Sequence, residues 1–63
     1  MKKNKTQAAA YRVASKATFN NPVSVMALGK VTAYAAKLLD NGLSENEAIL
    51  ATANYIEEIV NAS

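Results

Sequence analysis

A short segment near the middle of the chain marks the end of one helix and the start of the next. Asn41-Gly42 closes a helix, because glycine readily takes the left-handed conformation that follows many helix C-termini. Ser44 and Glu47 then form a capping box, in which each side chain accepts a hydrogen bond from the other residue's backbone N–H. Because a short connection makes successive helices antiparallel neighbours, this segment predicts a helical hairpin.

The first half of the chain predicts one more helix boundary. The polar run before Pro22 interrupts a helix, and Asn21 is a suitable N-cap for a new helix with Pro22 at its first position. We therefore expect an all-α fold, a small three-helix arrangement with helices over 6–17, 22–40 and 45–61. Helices 2 and 3 form the antiparallel hairpin and the strongest pair. The 63 residues make one domain, with residues 1–5 as a flexible basic tail.

The second predicted helix is apolar around most of its circumference, which is typical of a helix covered on two sides. A strip of mostly small residues lies opposite its main apolar face: Met26, Gly29, Ala33 and Ala36. Glycine inside a helix costs up to about 1 kcal/mol relative to alanine, so a close packing contact at Gly29 is expected. The strip is covered either by helix 1 of the same chain or by a partner, and in both cases a bulky residue at Gly29 disturbs packing.

The first and third helices each carry an unusual apolar feature. Helix 1 has only a thin stripe of small side chains, which offers too little area for firm packing on one hairpin. We expect it to pack across a subunit boundary or to move. On helix 3, Leu50 falls among polar residues, which is unexpected for a monomer. The helix 1 stripe consists of Ala10, Val13, Ala14 and Ala17.

The charges divide the chain into two parts. All seven basic residues precede position 38 and all five acidic residues follow it, although the net charge is only +2. On helix 1, the side chains of Lys5, Arg12 and Lys16 project within about 40° of one another, and Lys2 and Lys3 extend this basic patch. Such a patch indicates a weak, sequence-neutral nucleic-acid binder, since cationic side chains release counterions from phosphates.

The composition excludes several kinds of chemistry. The chain has no Cys and no His, so it forms neither a disulfide nor a zinc site of the common kind. We find no nucleophile with a base partner and no glycine-rich phosphate loop, and we expect neither enzymatic activity, nor a cofactor, nor a metal. No apolar run approaches the roughly 20 residues of a membrane span, so we expect a cytoplasmic protein without a membrane partner. For so small a fold, oligomerisation or docking on a larger protein remains as a source of stability.

Together these observations predict a non-enzymatic protein-protein interaction module, either self-associating or docking on a larger protein. Its size and Lys-rich N-terminal segment suggest a phage accessory protein, in the host cytosol or the virion. Two alternatives stay open: the nucleic-acid binder, and an oligomeric sponge that holds an anionic nucleotide between Tyr11, Arg12 and Lys16. The predicted partner-binding residues are Met26, Gly29, Ala33, Ala36 and Leu50; the predicted anion-binding residues are Lys2, Lys3, Lys5, Tyr11, Arg12 and Lys16.

Overall fold

The computed structural model describes the backbone of residues 2–19 and 21–62 and the side chains of residues 6–19 and 21–61. Three helices account for most of this chain: α1 (Lys2–Phe19), α2 (Val25–Asp40) and α3 (Glu45–Ala62). Each helix packs against both of the others. The predicted all-α, three-helix fold is confirmed. α1 begins four residues before the predicted start, and the flexibility of residues 1–5 stays a prediction.

The turn between α2 and α3 has the predicted chemistry. Gly42 has a φ of 98°, and its N–H donates to the Leu39 carbonyl at 3.1 Å. The N–H of Leu43 reaches back to the Leu38 carbonyl at 3.2 Å, which completes a Schellman motif. The Ser44 N–H donates to Glu47 Oε1 at 3.1 Å, and the Glu47 N–H donates to Ser44 Oγ at 3.2 Å. The capping box is confirmed.

The start of α2 differs from the prediction. Ser24, not Asn21, is the N-cap, and its Oγ accepts a hydrogen bond from the Ala27 N–H at 3.2 Å. The N–H of Asn21 instead donates to the carbonyl of Thr18 at 3.2 Å, as part of the turn that ends α1. Serine and asparagine are about equally good N-caps, so the sequence rule did not discriminate between these positions. Pro22 therefore precedes the helix and does not begin it.

The apolar stripe of α1 is buried inside the chain, so the prediction that α1 packs across a subunit boundary is wrong, whereas its movement stays a prediction. Its four apolar positions are at most 3% exposed. They divide between two core clusters, and each cluster joins all three helices. The contact between α2 and α3 is the least extensive of the three, so the expectation that these two helices form the strongest pair is also wrong. The clusters are Ala10, Val13, Ala35 and Ala48, and Ala14, Ala17, Val31 and Ile56.

Two details complete the core. Tyr34 and Tyr55 are half-buried between α2 and α3, and their rings stack with centroids 4.2 Å apart and planes 14° apart. Thr52 is fully buried on α3, and its Oγ1 has no hydrogen-bond partner among the described residues. A buried hydroxyl without a partner costs about 1–3 kcal/mol, so packing elsewhere in the core must offset it. Val60, near the end of α3, is 54% exposed.

Candidate interaction surfaces

The middle of the outer side of α2 is not covered by the described residues. Among them, no atom from another part of the structure lies within 4 Å of a Cβ built on Gly29, and Gly29 itself is exposed. Helix 1 therefore does not cover the strip at Met26, Gly29 and Ala33, although Ala36 is partly buried against the core cluster that contains Ala10 and Val13. The predicted disturbance of packing by a larger residue at Gly29 is not supported by the described residues, since an added Cβ meets no clash there. We call the outer side of α2, with Val25, Met26, Gly29, Ala33 and Ala36, the Gly29 face.

A shallow groove runs along this face where α2 meets α1. Its volume is about 390 Å³. Val25 is 87% exposed at one end of it, and Tyr11 of α1 is 64% exposed in its wall. The lining residues are Gln7, Ala10, Tyr11, Val25, Leu28, Gly29, Thr32, Ala33 and Ala36. Most of them are apolar, so the groove suits an apolar side chain from another molecule.

The structure brings together three of the five predicted partner-binding residues. Gly29, Ala33 and Ala36 line the groove. Met26 does not line it, but it is 84% exposed and lies about 60° from Gly29 around the helix, on the same outer side. Leu50 belongs to another surface, because only residues of α1 and α2 line the groove.

Val25 and Tyr11 are the residues of this groove that sequence reasoning missed or assigned elsewhere. Val25 lies four positions before Gly29, so the helical period alone places it on the same side of α2. This signal was present in the sequence. Tyr11 was assigned to an anion site, and the structure places its ring against the groove instead.

A second exposed surface lies on α3. Leu50 is 69% exposed, as expected from its position among polar residues. Asn46, Glu47, Asn54 and Glu57 are also exposed, and by the helical period they lie within about 60° of Leu50. We call these five residues the Leu50 face. It presents one large apolar side chain surrounded by polar and acidic groups.

The two surfaces carry opposite charge. On α2, Lys30 and Lys37 are exposed and lie about 80–100° from Gly29 around the helix, so they border the Gly29 face on one side. Asp40, the acidic residue of α2, is exposed and lies about 20° from Gly29 by the same period, so this side of α2 carries two basic residues at its border and one acidic residue at its end. On the Leu50 face the charged groups are Glu47 and Glu57, because the chain has no Lys or Arg after Lys37.

The basic patch of α1 is partly neutralised within the chain. Arg12 binds Glu45 at the start of α3 with two hydrogen bonds, Nε to Oε1 at 3.2 Å and Nη2 to Oε2 at 3.0 Å. The hydrogen bond from Arg12 holds the pKa of Glu45 below its ordinary value; partial desolvation opposes this shift, and the charges of Arg12 and Lys16 add to it. The same hydrogen bond raises the pKa of Arg12. Arg12 is therefore committed to an intramolecular ion pair.

The predicted anion site is not assembled in the part of the chain that the structure describes. Tyr11 lies in the groove wall, about 100° around α1 from Arg12, so the two do not face a common space. The side chains of Lys2, Lys3 and Lys5 lie outside the described residues.

Neither a metal site nor a similarity to a known protein adds another candidate functional site. Among the described residues, no group of three or more acidic side chains is placed to hold a metal ion. None of the described helices combines the length and apolar character needed to cross a bilayer. No protein-family model, no curated protein and no solved structure matches the chain. The candidate function therefore rests on the two exposed surfaces.

Proposed function

We propose that this protein is a non-enzymatic interaction module whose Gly29 face binds an apolar surface of another polypeptide, either a second copy or a larger protein. The observation that carries the proposal is the open space beside Gly29. A helical glycine lowers stability by up to about 1 kcal/mol relative to alanine, and none of the described residues occupies the space it leaves. A close contact with another molecule is a physical reason for a glycine at this position.

The exposed apolar side chains around Gly29 supply the driving force. Val25 and Met26 are 87% and 84% exposed, and Leu28 is 40% exposed. Complete burial of a side chain of this size contributes about 1.5–3 kcal/mol relative to leaving it in water. The groove itself gives little directional recognition, since its lining is mostly apolar. Specificity would come from the charged residues at its border, which mainly set orientation and association rate.

The other two predicted functions have weaker support. A nucleic-acid or nucleotide site in the basic patch would use Arg12, and Arg12 already binds Glu45 with two donors. Tyr11, the aromatic residue near the patch, faces the groove instead. The small size and the Lys-rich N-terminal segment suit a phage accessory protein that acts in the host cytosol or in the virion, and this assignment is part of the proposal.

Co-purification from the native host tests the proposal. We expect the tagged wild-type chain to retain a polypeptide in stoichiometric amount, either its own untagged copy or a larger protein. Ala33→Asp places a carboxylate in the centre of the Gly29 face, where burial of an unpaired charge opposes binding. This variant should lose the retained polypeptide.

Ser15→Asp is the matched control, because Ser15 is exposed on α1 and is not among the residues that line the groove. It introduces the same charge and should keep the retained polypeptide. Circular dichroism should show equal helix content in all three proteins, since both substituted positions are exposed. Retention of the same polypeptide by wild type, Ala33→Asp and Ser15→Asp would contradict the proposal.

A further inference from the structure

We infer that the occupant of the Gly29 face is the Leu50 face of a second copy of this chain. The inference rests on the proposed function and names its partner. The two surfaces differ in shape: one is a groove with a glycine in its floor, and the other is a single exposed leucine on an otherwise polar helix surface. A protruding Leu50 fits a groove that is open beside Gly29, as a knob fits a hole between helices.

Charge complementarity supports this pairing over contact between two Gly29 faces. Lys30 and Lys37 border the Gly29 face, whereas Glu47 and Glu57 flank Leu50. Pairing the unlike faces brings basic residues against acidic ones. An antiparallel pair of Gly29 faces would gather four lysines at one border with only two Asp40 carboxylates to offset them, and like charges across an interface oppose association.

The location of the two faces determines the kind of assembly. They lie on different helices of the same chain, so one copy offers both the groove and the leucine at the same time. Such a contact is heterologous, and each added copy leaves one unpaired groove and one unpaired leucine at the ends of the assembly. The assembly therefore grows with concentration beyond a dimer, unless the rotation between copies closes a ring.

A complementation experiment tests the pairing. Leu50→Asp removes the leucine but leaves the groove intact, and the double substitution Lys30→Glu with Lys37→Glu reverses the charge beside the groove but leaves Leu50 intact. Each variant alone should self-associate at least about tenfold more weakly than wild type, because the loss falls on the single kind of contact. All three positions are exposed, so the fold should be preserved, and circular dichroism checks this.

An equimolar mixture of the two variants should behave differently from either one alone. Its components should form a 1:1 complex that stops at two chains. The groove of Leu50→Asp, with its lysines intact, receives Leu50 of the double lysine variant. The reverse contact cannot form, because Leu50→Asp lacks the leucine and the double variant has reversed charges beside its groove. That combination keeps one functional contact and removes all others. Sedimentation velocity reports the size of the complex, and Ser15→Glu, an exposed change outside both faces, should assemble like wild type.

Three results would overturn the inference, and each differs from a failure of the proposed function. A wild-type chain that stays monomeric at several hundred micromolar excludes the second copy as occupant, while the co-purification result still decides the proposed function. Unchanged self-association of Leu50→Asp excludes Leu50 from the contact. Two weakened variants that remain monomeric when mixed exclude a heterologous contact.

Discussion

Two stripes of small residues in this protein have opposite environments. On α1, Ala10, Val13, Ala14 and Ala17 are at most 3% exposed and lie between the other two helices. On α2, Gly29 and Ala33 are exposed, with open space beside the glycine. The stripes resemble each other in composition, so residue type alone does not decide which one is covered.

Small side chains on a helix favour close contact only where neighbouring helices converge on them. α1 meets α2 and α3 along its whole apolar stripe, and its alanines let both helices approach closely. Close approach compensates for small side-chain area, because dispersion contacts accumulate wherever atoms pack at van der Waals distance. The stripe on α2 lies beside α1 at the groove, and Gly29 and Ala33 remain exposed. It has the composition of an interhelical contact, but no second helix covers it at these two positions among the described residues.

The largest expected effect comes from filling the two stripes with the same side chain. Ala14→Leu adds three carbons to a position that is 2% exposed, and overpacking of this kind should lower the free energy of unfolding by about 1–3 kcal/mol. Ala33→Leu makes the same change at an exposed position and should alter the stability of the isolated chain by less than about 0.5 kcal/mol. Urea denaturation at low protein concentration measures both. Equal losses in the two variants would mean that the stripes do not differ as described.

Much of the fold was predictable because it depends on local chemistry. Gly42 requires a left-handed φ, and Ser44 and Glu47 satisfy each other's backbone donors, so neighbouring residues determine this turn. The start of α2 was less predictable, since Asn21 and Ser24 are both good N-caps and the choice depends on how the chain leaves α1. The central position of α1 was not predictable from apolar area, because alanine contributes little area but permits close approach.

The candidate surfaces were predictable in part, for a related reason. The helical period placed Gly29, Ala33 and Ala36 on one side of α2 and identified Leu50 as exposed. It did not reveal that α1 lies beside this strip without covering it, because that depends on the angle at which α1 enters the bundle. Arg12 likewise resembled part of a free basic patch, and only the tertiary fold brings it to Glu45, 33 positions away.

A smaller effect comes from Gly29→Ala, which tests whether the chain itself needs a glycine on α2. The added Cβ meets no atom within 4 Å, so the substitution introduces no clash within the chain. Alanine should then raise the free energy of unfolding of the monomer by up to about 1 kcal/mol, because it restricts the unfolded chain and favours the helix. Thermal denaturation at low concentration measures the change. A loss of stability would show that Gly29 has a structural role inside the monomer.

The smallest expected effect concerns charge, where the same contrast between α1 and α2 recurs. Arg12 of α1 is paired with Glu45, whereas Lys30 and Lys37 of α2 make no ion pair among the described side chains. The pKa of Glu45 is lowered in the folded protein by the Arg12 hydrogen bond. A carboxyl group with a lowered pKa stabilises the fold above its unfolded pKa of about 4.3, and this contribution is lost as the pH falls through the folded pKa.

Glu45→Gln should therefore flatten the acid side of the stability profile. Between pH 6 and pH 3 the melting temperature of wild type should fall further than that of Glu45→Gln, with the difference present at pH 6 and vanishing at the acidic end. Glu58→Gln is the matched control, because Glu58 is exposed near the end of α3, far along that helix from Glu45. The stability profile of Glu58→Gln should follow that of wild type. Because the ion pair is exposed to solvent and screened by salt, added salt should reduce the difference between wild type and Glu45→Gln. A difference that is undiminished at 1 M salt would contradict an electrostatic origin, because salt screens both an exposed ion pair and the interaction of a carboxylate with the helix dipole.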